Sequence, residues 1–121
     1  MKLNGHPRSR RIVLKKEFKD VLDTGRRTTN GDFTLWHKTG EPDREPRLGI
    51  IVAKKALGCA VKRNRARRLV REVFRLRRQL LAGGVDIILY PRTDRNLDDF
   101  GKMERAVLGI WKKAGIYKEA A

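Results

Sequence analysis

Apolar residues recur at helical spacing through Val61–Arg78, VKRNRARRLVREVFRLRR. At about 3.6 residues per turn, Ala66, Leu69, Val70, Val73 and Phe74 fall on one stripe, which Leu80 and Leu81 continue. This predicts an amphipathic helix facing a core and ended by Gly83 and Gly84. Lys15–Thr24 is a shorter helix, with Phe18, Val21 and Leu22 on one face and Gly25 just past its end. Phe100, Met103, Val107, Ile110, Trp111 and Ala114 mark a last helix, followed by Gly115. Asn96 or Asp98 is placed to cap it.

Between the helices the period changes to two. Asp32–Lys38 reads as a strand, with Phe33 and Leu35 on one side and Thr34, Trp36 and Lys38 on the other. Arg47–Ala53 reads as its return strand, covered at least in part on both faces. Gly40, Pro42 and Pro46 make the intervening Thr39–Pro46 a hairpin loop. Lys54–Ala60 is a loop leading into the long helix. Val85–Tyr90 is a buried strand closed by Pro91, and there is room for another short strand between Arg26 and Gly31. The order α-β-β-β-α-β-α predicts an α+β fold: an α/β sandwich with a central, mostly antiparallel four-stranded sheet packed by helices. A length of 121 residues predicts one domain, residues 1–121. Residues 1–11, which include Lys2, His6, Arg8, Arg10 and Arg11, form a flexible basic arm.

Charge changes the picture. Opposite the apolar stripe of the long helix lie Asn64, Arg67, Arg68, Arg71, Arg75 and Arg78, with Glu72 the only acid. Lys62, Arg63 and Arg65 occupy its N-terminal end, and Lys54 and Lys55 lie just upstream. Surface helices normally mix signs, because like charges one turn apart repel. Such purity of sign points to an external polyanion, and repeated charge points to a phosphate backbone. The plain alternatives are a solvated basic face and a membrane-surface helix; the latter is disfavoured because the stripe carries no interfacial Trp. The net charge of +16 supports nucleic-acid binding. A single Cys59 excludes an internal disulfide and fits a reducing compartment. With no apolar run of membrane-spanning length and no signal-peptide core, the chain reads as cytoplasmic, with no membrane partner.

Hydrolytic machinery is not visible. His6 and His37 have no partner in sequence, Asp98 and Asp99 suit a helix start, and Cys59 has no neighbour at zinc spacing. There is no GxxxxGK loop. These features describe a nucleic-acid-binding domain without an active site of its own. A basic helix suits a DNA major groove, but two features favour RNA and leave DNA unexpected. The arc is rich in Arg, suited to bidentate phosphate contacts. A sheet face also offers Trp36, with Phe18 from a nearby helix, as stacking platforms. Phe18 reads equally well as core.

The segment RLGIIVAKKALGCAVKRNRARRLVREVFR closely resembles the signature region of the bacterial ribonuclease P protein subunit, centred on Lys62-Arg63-Asn64-Arg65 with Arg67, Arg68 and Arg71 at matching spacing. LKKEFKDVLDTGRR, DFTLW and GVDIILYPR resemble the family's first helix, second strand and last strand. Where many members carry Gly-Asn-Ala-Val, this chain has Gly58-Cys59-Ala60-Val61, after a loop one residue longer than the shorter family form. The resemblance implies a central sheet with helices on one side and a left-handed βαβ crossover through the basic helix, where general handedness predicts the opposite. It implies a subunit of the enzyme that hydrolytically removes the 5′ leader of precursor tRNA, with catalysis and magnesium on the RNA subunit and no cofactor on the protein. Lys62, Arg63, Asn64, Arg65, Arg67, Arg68, Arg71 and Arg75 would contact the catalytic RNA. Phe18, Leu22, Trp36, Ile51 and Tyr90 would line a leader cleft between the first helix and the sheet, with Lys54 and Lys55 at its edge. A structural RNA-binding protein, such as a ribosomal protein, is the competing class that composition alone allows.

Overall fold

In a computed structural model, residues 15–118 are described; the basic arm expected at residues 1–11 lies outside them. The elements are α1 (Lys15–Thr24), β1 (Arg26–Thr29), β2 (Phe33–Thr39), β3 (Arg47–Ile50), α2 (Lys54–Leu57), α3 (Ala60–Arg77), β4 (Val85–Pro91) and α4 (Phe100–Ala114). They form the expected α+β architecture around one four-stranded sheet of order β1-β2-β4-β3. β2 pairs antiparallel with β1 and β4, while β3 runs parallel to β4.

This order corrects the expected hairpin. β2 and β3 are joined by the 40–46 loop but are not neighbours, because β4 lies between them. β4 is the most apolar strand, with Val85, Ile87, Ile88 and Leu89 fully buried. Such a strand needs cover on both faces and a partner on both edges, and the sheet centre supplies these.

Residues opposite one another in the register share a face. One face carries the rows Thr28–Leu35–Leu89–Ile50 and Arg26–His37–Ile87–Leu48. On it the stripe of α3 (Ala66, Val70, Val73, Phe74) and that of α4 (Met103, Val107, Ile110, Trp111) form the main core with the sheet. Phe74 meets Trp111 edge to face, 6.4 Å between ring centroids. The other face carries Arg27–Trp36–Ile88–Gly49 and Thr29–Thr34–Tyr90. There α1 packs through Val21 against Ile88, with Phe18, Leu22, Trp36 and Ile51 around them. Helices therefore flank both faces rather than one, because the sheet is apolar on both.

Several boundaries also differ. β3 ends at Ile50 rather than at Ala53. Lys54–Leu57 is a single helical turn rather than plain loop, held by the fully buried Leu57. α3 stops at Arg77, before the glycines, and a 3₁₀ turn, Arg78–Leu80, follows. Leu81 then bridges to Tyr117, which takes the chain off the helix axis early. The α4 cap is Asp99, whose carboxylate accepts from Gly101 N at 3.1 Å. Asn96 instead donates to Asp32, and Asp98 pairs with Lys102. At the far end Gly115 takes the expected left-handed conformation, φ 77°.

Phe74 is fully buried at the contact of α3 with α4. Phe74→Ala is expected to lower unfolding stability by about 3–5 kcal/mol, much of a typical total of about 5–15 kcal/mol. Urea denaturation followed by circular dichroism measures this, and a loss under about 1 kcal/mol would contradict the anchoring role.

Candidate nucleic-acid interface

Because the apolar stripe of α3 is committed to the core, its cations must face outward. Lys62, Asn64, Arg68, Arg71 and Arg75 are exposed, and Arg63, Arg65 and Arg67 are partly so. They are not equivalent. Arg68 has no ion-pair or hydrogen-bond partner among the described residues. Arg67 is steadied by Asn64, whose side-chain oxygen accepts from it at 2.9 Å. Arg63 donates to the Gly58 carbonyl at 3.0 Å. Arg75 is paired with Glu72, the one acid on this helix.

Two signature residues turn toward the protein. Lys62 pairs with Asp94 at 2.7 Å, and Arg65 donates to the Leu97 carbonyl. Both bind the β4–α4 loop, so the N-terminal turn of α3 is staked to that loop. Arg78, predicted on the outer arc, is partly buried and faces Glu45 at 3.7 Å, because the helix ends before it.

Cys59 is the N-cap of α3 and makes no side-chain capping hydrogen bond. Although no capping bond forms, the nearby backbone N–H of Lys62, then that of Val61, and the Lys62 charge lower the pKa of this exposed thiol. Lys54 and Lys55 are exposed on α2, just before this helix start. The cations of α2 and of the first turns of α3 therefore lie at the end of the sheet where β3 and β4 finish.

On the other sheet face, the residues expected to line a cleft come together in part. Phe18, Leu22, Trp36 and Ile51 surround the buried Val21–Ile88 pair and remain half-exposed. Tyr90 stands on the same face, opposite Thr34 and one row beyond the cluster. A residue absent from the expected set joins them: Arg27 lies over the Trp36 ring, 6.0 Å from its centroid. The period-two spacing of the strand after Gly25 was its only sequence signal. The exposed cation and the partly exposed ring are cross-strand neighbours on the face that α1 covers.

A charge network holds α1 over this face. Arg47 grips Asp86 with two hydrogen bonds of 2.9 Å and reaches Glu17 of α1 at 3.1 Å. Arg44 adds a third bond to Asp86, also 2.9 Å. Lys38 pairs with Asp20 of α1 at 2.6 Å. Burial by itself would raise the Asp86 pKa; the hydrogen bonds from Arg47 and then Arg44 outweigh it and hold the carboxyl below the usual carboxylate range. The same bond to Asp86 raises the Arg47 pKa. His37, buried in the sheet, is lowered by desolvation and by Arg26. Among the described residues no group of three or more His, Cys, Asp or Glu side chains could hold a metal ion.

The family model described as Ribonuclease P matches residues 6–115. The ribonuclease P protein component of Dictyoglomus thermophilum is 35% identical over 122 residues, 98% of this chain and 99% of that protein. That of Thioalkalivibrio sulfidiphilus is 40% identical over 109 residues, covering 90% of this chain and 89% of the relative. Among solved structures, the RNase P protein of Staphylococcus aureus superposes with a TM-score of 0.80 at 26% identity, over 92% of this chain and 100% of that one. The RNase P protein of Thermotoga maritima superposes with a TM-score of 0.74 at 30% identity, over 85% and 96%.

The Asp86 network makes a prediction about acid stability. A carboxyl whose folded pKa is depressed contributes stability above its unfolded value, near 3.9, and loses it as pH falls through the folded value. Stability is therefore expected to drop steadily below about pH 4. Asp86→Asn is expected to cost about 3–5 kcal/mol at pH 7, as for other broken buried pairs, and to flatten the acid limb. Denaturation midpoints from pH 7 to pH 2 test this; parallel curves for the two proteins would refute it.

Proposed function

The chain belongs to the ribonuclease P protein family, whose members serve tRNA processing as the protein subunit of that enzyme, and we propose that its two sheet faces hold two different RNAs. The outer arc of α3, with Lys54 and Lys55, binds the catalytic RNA through phosphate contacts. The opposite face, between α1 and the strands, holds the single-stranded 5′ leader of precursor tRNA. The RNA subunit, with its magnesium, hydrolyses the phosphodiester bond that frees the leader. Both partners place this work in the cytoplasm.

The observation that carries this reading is the outward arc of α3, where Arg67, Arg68 and Arg71 face solvent and the one acid of the helix is taken by Arg75. Leaving such charges together raises the energy of the free protein, and a bound phosphate backbone relieves it. On the other face, Trp36 with Arg27 above it offers a cation beside a ring, a platform that suits a base regardless of its identity. Lys62 and Arg65 contribute by fixing the helix start, since both are held by the β4–α4 loop.

The mechanism is positional and electrostatic. Catalytic RNA and precursor repel each other, and a polycation bound to both lowers that repulsion and with it the magnesium required. Leader contacts favour precursor over product, because mature tRNA has no leader.

Precursor cleavage at low magnesium by a bacterial ribonuclease P RNA, with and without the protein, tests this reading. Strong activation is expected, with no cleavage by protein alone; tight RNA binding without activation would instead indicate a structural RNA-binding protein. Trp36→Ala is expected to weaken precursor binding by about 1–3 kcal/mol and to leave mature tRNA binding nearly unchanged. Equal losses for both ligands would remove the cleft from the mechanism.

A further inference from the structure

β3 carries a glycine between two apolar residues. Leu48 and Ile50 pack into the main core, and Gly49 stands on the opposite face, in the row Arg27–Trp36–Ile88–Gly49. A glycine inside a strand weakens it, because it loses more chain entropy on folding and offers no side chain to pack. Backbone conformation does not require one here: among the described residues the positive-φ glycines are Gly58, Gly84 and Gly115. Space does require one. A Cβ on Gly49 would lie 2.6 Å from Cε2 of Phe18, 3.3 Å from its Cδ2 and 3.4 Å from its Cζ. The first distance is far inside van der Waals contact, and the three atoms form one edge of one ring. Phe18 of α1 is therefore seated in the hollow that the missing side chain leaves on β3.

The helix that carries the ring is held on both sides of it. Val21, three residues after Phe18, is fully buried against Ile88. Glu17 is held by Arg47 at 3.1 Å, and Asp20 by Lys38 at 2.6 Å. The half-exposed ring, on two rotatable bonds, is the part that can move. Its position matters to the face as a whole. Trp36 lies in the same row as Gly49, on the other side of Ile88, so Phe18 and Trp36 stand to either side of the Val21–Ile88 contact. Both are only partly covered, as is Ile51, two residues after Gly49.

We propose that Gly49 is a positioning residue for the 5′ leader: by admitting the Phe18 ring to the surface of β3, it sets the apolar gap between Phe18 and Trp36 in which a leader base is held. This deepens the leader site proposed above and rests on it. A methyl group at position 49 pushes the ring outward from the sheet, into the space that the base takes. The arginine arc of α3, on the opposite sheet face, is left as it was.

Four chains test it as assembled holoenzyme: wild type, Gly49→Ala, Phe18→Ala and the double variant. Each is titrated with precursor tRNA and with mature tRNA, and each free protein with a bacterial ribonuclease P RNA; thermal midpoints are recorded alongside. Gly49→Ala is expected to fold and to weaken precursor binding about fivefold or more, the lower end of what one stacked base supplies. Its binding to mature tRNA and to the RNA subunit is expected to match wild type. In the Phe18→Ala background there is no ring to displace, so adding Gly49→Ala is expected to change precursor binding by less than about twofold, the ordinary scatter of additive sites. Wild-type precursor affinity in Gly49→Ala would overturn the proposal. So would an equal loss in both backgrounds, or a matching loss for mature tRNA or for the RNA subunit. A Gly49→Ala chain that no longer folds would overturn it too, because the helix rather than the ring would then have given way. Trp36→Ala, run in parallel, separates this proposal from the site beneath it. Precursor-selective loss at Trp36 without loss at Gly49 rejects the positioning role alone, whereas no loss at Trp36 rejects the leader site itself.

Discussion

The burial of β4 is the constraint on which the rest of the molecule depends. A strand whose side chains are apolar on both faces cannot lie at a sheet edge or leave one face to water. It therefore takes the centre between β2 and β3 and calls for a helical layer on each side. The heavier layer, α3 with α4, uses the deeper apolar stripes. Among the described residues the lighter layer is α1 alone, and Phe18, Leu22, Trp36 and Ile51 on it are only partly covered. From one buried strand follow two chemically different surfaces: one of helix-borne cations and a half-covered one where rings and strand residues are reachable.

The distribution of acids follows from the same arrangement. α1 covers little apolar surface, so it is also tied by charge, and Glu17 and Asp20 are used on Arg47 and Lys38. Asp86, within the sheet, completes that network. Asp94 and the Leu97 carbonyl hold the start of α3. The acids thus serve as internal fasteners at the joints of the fold, and the outer faces of α3 and α4 are left with an excess of cations. Net charge alone does not state where the excess lies; the positions of the fasteners do.

Much of this was legible in the chain. The limits of α1 and the body of α3 and α4 followed from period and from the glycines after α1 and α4, because local spacing decides them. The basic arc was legible for the same reason. The sheet order was not, because pairing depends on which strands compete for the centre, and turn residues at 40–46 look alike whether or not the strands they join are neighbours. Arg65 could not be distinguished from Arg68 by type or spacing; the difference is a carbonyl in a loop some thirty positions away. Arg27 escaped notice because its partner Trp36 is a cross-strand neighbour.

The insertion of β4 between β2 and β3 also sets an order of assembly. β1 and β2 can pair as soon as they are made, since they are joined by a short turn. β3 cannot: among the described strands its partner is β4, which leaves the ribosome after all of α3 has been synthesised. During that interval the basic helix has no sheet to pack on, and its apolar stripe and its arginines are exposed together. The contacts that join β3 and α3 to β4 are distant in sequence, the kind that form slowly.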